Sequence, residues 1–585
     1  MTPRALAMPR RRLLIAAAAA AAAAAPGCAD PVTATVVTVD ARPSVRGVAT
    51  LDVTLSNDNA TLRESFSVAG RGFPMTFSVE TPGRTGALDV TIVGHDADGA
   101  VAALGAGTGT IVTDDVGDAT VLLDPADFPV NTIVAGAQKL AYDATTAGTQ
   151  VAAAPDGTFT VGFVDDCSIV SRCDVWGRRF DVTGAPVETL LAASPAQFNL
   201  NRSDVFGNDP ALAVAPDGSM MSTWTTFDEI LASGVTAAGD EALPFETTLN
   251  VGTTPRAPAV TAFPDGTFFV VWTETDGGSG DTVVRGRFLS NTGAPTANPN
   301  SNDSGPFTIS TGADGTPGAP VVVATGDERT AGIAWTVGTD VRMRFTNKTG
   351  VLTPQAEVTA ASYDPFAFDV WGPALTATPG GTYLLAIGVR SFGGDVDTGA
   401  IVLRQVASPL AQTVGVDSVV ARGVDYTRPS IAGKDGAFAV AWQACTSGAD
   451  GAGCGIAART VRASGLPVGA AVQVNTTTTG DQTTPSIAAL TGGAWAVAWT
   501  DASGARPDQA DTGIRARIIY PPFDAARGTI GAACDAAAPC DADLTCLAGS
   551  DDVPHCHASC DPAAATPCPD GGICTTTGGV SGCIF

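Results

Sequence analysis

A chain of 585 residues is too long for one hydrophobic core and must hold several domains. Its 67 glycines, 39 prolines and only 16% charged residues favour short strands and turns over long helices. A formal charge of −27 excludes nucleic acid as a partner and repels acidic lipid headgroups, while favouring cations and basic partners; it also keeps a large surface soluble.

Residues 1–27 read as a signal peptide. Arg10-Arg11-Arg12 precede Leu13-Leu14-Ile15 and an alanine run from Ala16 to Ala25. That apolar stretch suits an export leader and falls short of the ~20 residues of a membrane span. Removing Arg4, Arg10, Arg11 and Arg12 takes the charge from −27 to −31. Cys28 follows a small residue just past the leader and resembles the lipid-acceptor cysteine of a bacterial lipobox. The expected localisation is therefore a lipoprotein of the outer membrane or cell surface, with membrane contact through that lipid. Without lipidation the protein is secreted and Cys28 is left as an odd thiol.

Residues 28–125 alternate apolar and polar. Leu51, Val53 and Leu55 share a face, as do Met75, Phe77 and Val79, and Leu88, Val90 and Ile92. Ser56-Asn57-Asp58, Pro82-Gly83 and Asp98-Gly99 punctuate them. About seven short strands of this kind predict an Ig-like β-sandwich, here a stalk beside the anchor. His95 lies among turn residues and reads as unpartnered surface.

Residues 126–523 carry seven copies of one unit, clearest in Pro264-Asp265-Gly266-Thr267-Phe268-Phe269-Val270-Val271-Trp272. The other tight turns lead to Phe163, Trp224, Trp335, Ile387, Trp442 and Trp499. Phe268, Val270 and Trp272 lie on one strand face and Phe269 and Val271 on the other, so both faces need cover. Burying each large side chain is worth ~1.5–3 kcal/mol, which a free-standing sheet forfeits on one side. Successive copies lie 48 to 63 residues apart, near the ~40–50 of four-stranded propeller blades. The unit predicts a seven-bladed β-propeller, with a solenoid as the alternative. Strand A ends at the Asp-Gly turn and strand B carries the large residue. Strand C pairs Arg with an apolar residue (Arg179-Phe180, Arg287-Phe288, Arg344-Phe345, Arg517-Ile518), and strand D ends on an Asn-containing edge such as Val474-Asn475-Thr476. The second blade lacks a clean strand C and the fifth is degenerate. Val130-Asn131-Thr132 resembles a strand D placed early, and the last blade runs out without one. Ring closure by that N-terminal strand is expected.

The B–C loops collect acids and form the candidate binding face: Asp165, Asp174, Asp228, Asp276, Asp281, Asp395, Asp397, Asp450, Asp508 and Asp511. Two of these loops hold cysteine pairs, Cys167/Cys173 and Cys445/Cys454, read as local disulfides worth ~2–3 kcal/mol each. Neither pair has metal-ligand spacing. The Asp276–Asp281 loop is a conceivable calcium site, but it lacks the Asp-x-Asp-x-Asp-Gly pattern. No metal or other cofactor is expected.

Residues 524–585 hold eight of the thirteen cysteines. Cys534, Cys540, Cys546 and Cys556 form one group and Cys560, Cys568, Cys574 and Cys583 another. This tandem four-cysteine module has almost no apolar core, so disulfides replace burial. Each group permits three connectivities.

The Pro-Asp-Gly turns, Val-x-Trp strands and Arg-x-Arg-Phe strands resemble β-propeller repeats of surface proteins from myxobacteria and related Gram-negative bacteria. An Ala-rich leader, a lipid-acceptor cysteine and a small Cys-rich module fit the same group. The resemblance implies a surface lipoprotein and carries over no catalytic residue. The sequence has no GxSxG and no HExxH, and of three histidines two lie in the tail. The leading expectation is thus a monomeric, non-enzymatic binding, adhesion or scaffold protein with a glycan or protein ligand. The alternative is a carbohydrate-active hydrolase or lyase using paired carboxylates and the strand C arginines. The arginines also read as structural, with stems packed between blades and heads meeting carboxylates.

Overall fold

The computed structural model describes residues 33–520 apart from short internal stretches, and in the tail residues 544–548, 554–558, 573–577 and 580–584. The chain divides into two compact units, 1–126 and 127–585. The leader and Cys28 lie outside the described residues.

The first unit contains β1 (Ala34–Ala41), β2 (Thr50–Asn57), β3 (Ala60–Ser67), β4 (Met75–Glu80), β5 (Gly86–His95), β6 (Val101–Ile111) and β7 (Val116–Pro125). Alternate residues bury as the period-two pattern requires: Leu51, Val53, Leu55, Phe77, Val79, Leu88, Val90 and Ile92 join one core. The layer arrangement differs from the expected pair of sheets. A single hydrogen-bonded path, β3-β2-β5-β6-β7-β1-β4, runs through all seven strands, with β1 parallel to β7. The sheet therefore curls its one apolar face around its own core. The strands β6 and β7 pair in one register, Ala103↔Pro125, Leu104↔Asp124 and Gly109↔Ala119. Only glycine fits at position 107, where a Cβ would stand 2.1 Å from the Thr120 carbonyl oxygen. His95 is not unpartnered: Nε2 lies 3.1 Å from Asp52 Oδ2 and Nδ1 3.3 Å from the Gly99 carbonyl.

The second unit is a seven-bladed β-propeller. In blade 3, strands A (Thr253–Ala262), B (Phe268–Thr275), C (Thr282–Leu289) and D (Phe307–Thr308) form one antiparallel sheet. Strand B is buried from Phe268 to Glu274. Phe268, Val270 and Trp272 share a core with Ala211, Met221 and Ile230 of blade 2. Phe269 and Val271 share another with Ile333 and Trp335 of blade 4. Seven such cores join each neighbouring pair of blades, and one of them packs Ala496 and Ile518 of blade 7 against Val161 and Phe163 of blade 1. The ring is closed.

Closure uses the early strand. Phe128–Pro129 (β8) is the fourth strand of blade 7 and pairs with its strand C, Gly513–Ile519. Beyond it, Asn131 Oδ1 accepts from the Ile514 N–H at 2.8 Å. The Asn edge recurs for the same reason: Asn201, Asn250 and Asn475 each accept at 2.8 Å from the first N–H groups of their strand C, at Val175, Ile230 and Ile456. The side-chain oxygen extends the ladder where strand D stops. Blade 2 does have a strand C, Ile230–Val235, buried throughout; what it lacks is the arginine. In blade 5 the strand C, Thr398–Ala407, pairs both with Gln412–Thr413 and with Ser418–Gly423, which explains its irregular sequence. Among the described residues the only helix is the single turn Thr491–Gly493.

Two hairpins are described in the tail, pairing Leu544–Ala548 with Pro554–Ala558 and Ile573–Thr577 with Val580–Ile584. They set Cys546 opposite Cys556 and Cys574 opposite Cys583, the third and fourth cysteines of each module. Cys534, Cys540, Cys560 and Cys568 lie outside the described residues.

A buried carboxylate clasps the seam. Asp127, just before β8, accepts from Arg515 Nε at 2.7 Å and from the N–H groups of Thr476 and Thr477 at 2.6 and 2.8 Å. Burial opposes its charge, but Arg515 and the hydrogen bonds from Thr477 and Thr476 outweigh it, holding the carboxyl below its usual 3.8. A lowered carboxyl stabilises the fold above its unfolded pKa, and that contribution is lost as pH falls through the folded pKa. Asp127→Asn should cost about 3 kcal/mol at neutral pH in denaturant unfolding, because it leaves Arg515 without its buried partner. The difference from the natural protein should shrink as the pH drops below the carboxylate range.

Candidate functional site

The innermost strand of most blades is bulged next to a proline. Asp209, Ala257, Gly372, Arg428 and Thr484 all have left-handed backbone, with φ of 52, 51, 100, 51 and 55°, and each precedes a proline. At each, the pairing of strand A with strand B slips. Left-handed backbone is costly for residues other than glycine, so a recurring one marks a position that the surroundings enforce. Thr427 faces Gln443 and Thr483 faces Thr500 beside these bulges, both near the end of strand B. The bulges therefore lie towards the B–C loop end of the ring.

Three of them, at Gly372, Arg428 and Thr484, line an axial cavity of about 270 Å³. Its polar lining comes from Thr149, Gln150, Thr336, Arg428, Ser430 and Thr484, and its largest apolar group is Trp371. Hydrogen bonds hand this lining from blade to blade. Arg428 Nη1 donates to Thr484 Oγ1 at 2.7 Å, Ser430 Oγ accepts from the Ile487 N–H at 3.2 Å, and Ser486 Oγ accepts from the Gln150 N–H at 3.1 Å. Gln150 Nε2 then donates to the Pro210 carbonyl at 3.1 Å. Trp371 is braced by Arg390, whose guanidinium carbon lies 5.1 Å from the ring centroid. Arg390 is itself fixed by Asp369 at 2.9 Å and Asp425 at 3.1 Å.

Among the described residues, the acids expected on the loop face form one facing pair, Asp165 and Asp174, and otherwise lie on separate blades or turns. Asp165 is buried at the end of its strand B, directly opposite Asp174, so it is no loop tip. Asp276 is tied down: the N–H groups of Ser279 and Gly278 each donate to it at 2.9 Å, hold its carboxyl below the usual value, and Arg285 pairs with it. Asp281 and Asp511 are exposed. Asp228 is exposed in a shallow cleft with Phe227, Glu229 and Val251. Asp395, Asp397, Asp450 and Asp508 lie outside the described residues. Among the described residues no three His, Cys, Asp or Glu side chains gather as a metal site. Cys445 and Cys454 are bonded to each other. Cys173 is disulfide-bonded, and Cys167 lies outside the described residues.

The strand C arginines are not in the cavity. They reach back to carbonyls of the preceding blade: Arg287 to Leu249, Arg344 to Ile309, Arg404 to Ala360, Arg459 to Val420 and Arg517 to Val474. In blade 1 the reaching residue is Arg178, bonded to Val130 at 2.7 Å, while Arg179 turns to Asp156 and Thr158. The expectation that their heads meet carboxylates is met by Arg179, which pairs with Asp156 at 3.1 Å, and by Arg404, which pairs with Asp417; the target shared across the blades is backbone. Six of the seven blade junctions carry this staple, and blade 2 has Ser233 at the corresponding place, opposite Ser222. Arg459→Met should lower unfolding stability by about 1.5–3 kcal/mol, the value of hydrogen bonds from a charged donor, with ligand binding unchanged.

Trp371 and Arg428, which line the cavity, were not singled out in the sequence. A signal was present: an x-Pro-small motif recurs 13 to 15 residues before the large strand B residue, as in Arg428-Pro429-Ser430 before Trp442.

No family model and no curated protein matches this chain. Among solved structures it is similar to a Penicillium chrysogenum alpha-L-arabinanase complexed with arabinobiose, at 14% identity and TM-score 0.35, over 53% of this chain and 92% of that one. It is similar to the polysaccharide lyase Uly1 at 10% identity and TM-score 0.39, over 64% and 90%. A Lactobacillus plantarum protein gives 14% identity and TM-score 0.35, over 67% and 97%. Likeness at this level transfers no activity.

Proposed function

We propose that this chain is an exported, lipid-anchored surface protein of the myxobacterial type, whose propeller binds a ligand at its axial cavity without cleaving it. The observation that carries the reading is what lines the ring there: one arginine, four hydroxyl-bearing residues, a glutamine and a braced indole, drawn from five blades. Few, well-placed polar groups beside an apolar surface are the composition of a recognition pocket. A glycosidase needs two carboxylates about 5–9.5 Å apart across the scissile bond, and among the described residues none lines this cavity. The strand C arginines, which a hydrolase would recruit, are engaged in holding blades together. The leader, Cys28 as the lipid acceptor, and the acidic surface support display at the cell exterior.

Two measurements test this. The full-length protein on a glycan array, with and without calcium, should retain ligand while releasing no new reducing ends or unsaturated products; release of either would turn the reading into a hydrolase or lyase. Cys28→Ser should move the protein from the membrane to the soluble fraction, and unchanged membrane retention would refute the lipid anchor.

A further inference from the structure

We infer that a second surface of the propeller docks a basic polypeptide segment, one that sets an arginine or lysine beside an apolar side chain. The surface is the shallow cleft between the blade 2 turn at 226–229 and the link from blade 2 to blade 3 at 248–252. It shares no lining residue with the axial cavity and stands whether or not that cavity binds a ligand.

Phe227 is 58% exposed and Val251 70%. Single exposed apolar side chains are ordinary on any surface, but these two line one cleft. Turn chemistry does not call for them. The B–C turns of blades 3 and 4 hold Gly277-Gly278-Ser279 and Gly338-Thr339, whereas blade 2 has Phe227-Asp228. Phe227 is also held still: its ring stacks on Phe206, with 4.3 Å between centroids and 17° between planes. A rigid aromatic that keeps much of its surface in water has the form of an interface anchor.

Hydrogen bonds fix the frame around it. The Thr226 N–H donates to the Glu229 carbonyl at 2.7 Å and closes the turn. Asn250 Nδ2 donates to the carbonyls of Asp228 at 2.9 Å and Gly252 at 3.1 Å, tying the two walls together. A cleft formed in advance loses little to ordering when a partner arrives.

Charge decides the occupant. Asp228 is exposed in the cleft, and Glu229 follows it with Oε1 accepting from Thr248 Oγ1 at 3.1 Å. Carboxylates next to an aromatic ring suit a guanidinium or ammonium, which gains from both. At a net charge of −27, a second copy of this chain and an acidic membrane are repelled, while a basic partner is drawn in. Ligand pockets bury about 70–90% of a small molecule, which side chains as open as Phe227 and Val251 do not. A polypeptide brings its own surface to cover them.

The test is fluorescence anisotropy of the full-length protein with short labelled peptides that hold arginines beside tryptophan or leucine at several spacings. One control keeps the arginines and replaces the apolar residues by serine; the other keeps the apolar residues and replaces arginine by glutamate. The best mixed peptide should bind at least about tenfold more tightly than either control. Phe227→Ser and Val251→Ser should each weaken it about fivefold or more, and Asp228→Asn about threefold. Asp118→Asn, which removes an equal charge from an exposed position of β7, should leave it unchanged. Both apolar side chains are exposed, so the variants should melt with the natural protein; Val251→Ser, which breaks no ring stack, keeps the test decisive should Phe227→Ser unfold. Equal binding of the serine control, or binding that survives both serine variants, marks diffuse attraction to an acidic surface and overturns the inference. So does the failure of every peptide to bind. A neutral oligosaccharide, acidic vesicles or self-association engaging this cleft, and lost in Val251→Ser, overturns it by naming another occupant.

Discussion

Strands that are apolar on both faces set the architecture. Phe268–Thr275 sends Phe268, Val270 and Trp272 one way and Phe269 and Val271 the other, so its sheet has no side that water can wet cheaply. A neighbour on each side removes the problem for one blade and passes it to the next. Only a closed circle ends the regress, and the core between blades 7 and 1 is where it ends. The axial cavity is a by-product of that circle. Its lining is made of backbone-anchored strands, which is why it can hold a few groups in fixed positions.

Apolar burial gives the ring its energy but not its register. Polar contacts supply the register. In six junctions a strand C arginine crosses to a carbonyl of the preceding blade, and it leaves the sheet on the face that also carries the large strand B residue. Where strand D is only two residues long, an asparagine oxygen continues the ladder. Blade 2 departs from both the arginine and full satisfaction. In its strand B, Thr223 Oγ1, Trp224 Nε1 and Thr225 Oγ1 are buried without a hydrogen bond. Blade 3 shows the opposite extreme, with the fully buried Glu274 accepting from Trp272 Nε1 at 2.7 Å and Arg285 Nε at 3.1 Å.

Much of this was legible in the residues. The spacing from tight turn to large residue located all seven B strands, and the stray Val130-Asn131-Thr132 pointed to the closing strand, because both are local patterns with a single physical meaning. The cysteine pair at 445 and 454 was readable from its short separation and its place in a B–C loop. Three things were not. The destination of Arg287 or Arg459 is a carbonyl some forty residues away in another sheet, and carbonyls leave no trace in a sequence. The one-sheet path of the first unit depends on how β6 approaches β7 at Gly107, which alternation cannot report. Acid-rich loops suggested a site by composition, yet Asp165 is buried and Asp276 is spent on its own turn. The groups that do converge, Trp371 and Arg428, come from inner strands whose prolines were visible without any hint that they face an axis.

The functional reading depends on the ring being closed, since an open array has no axis to line. Amide hydrogen exchange across Gly513–Ile519 tests this most directly. Paired with Phe128–Pro129, these amides should exchange as slowly as those of Thr282–Leu289 in blade 3. Exchange at the rate of an unpaired sheet edge would mean that blade 7 ends the chain of sheets without meeting its fourth strand, and the closed propeller would be wrong.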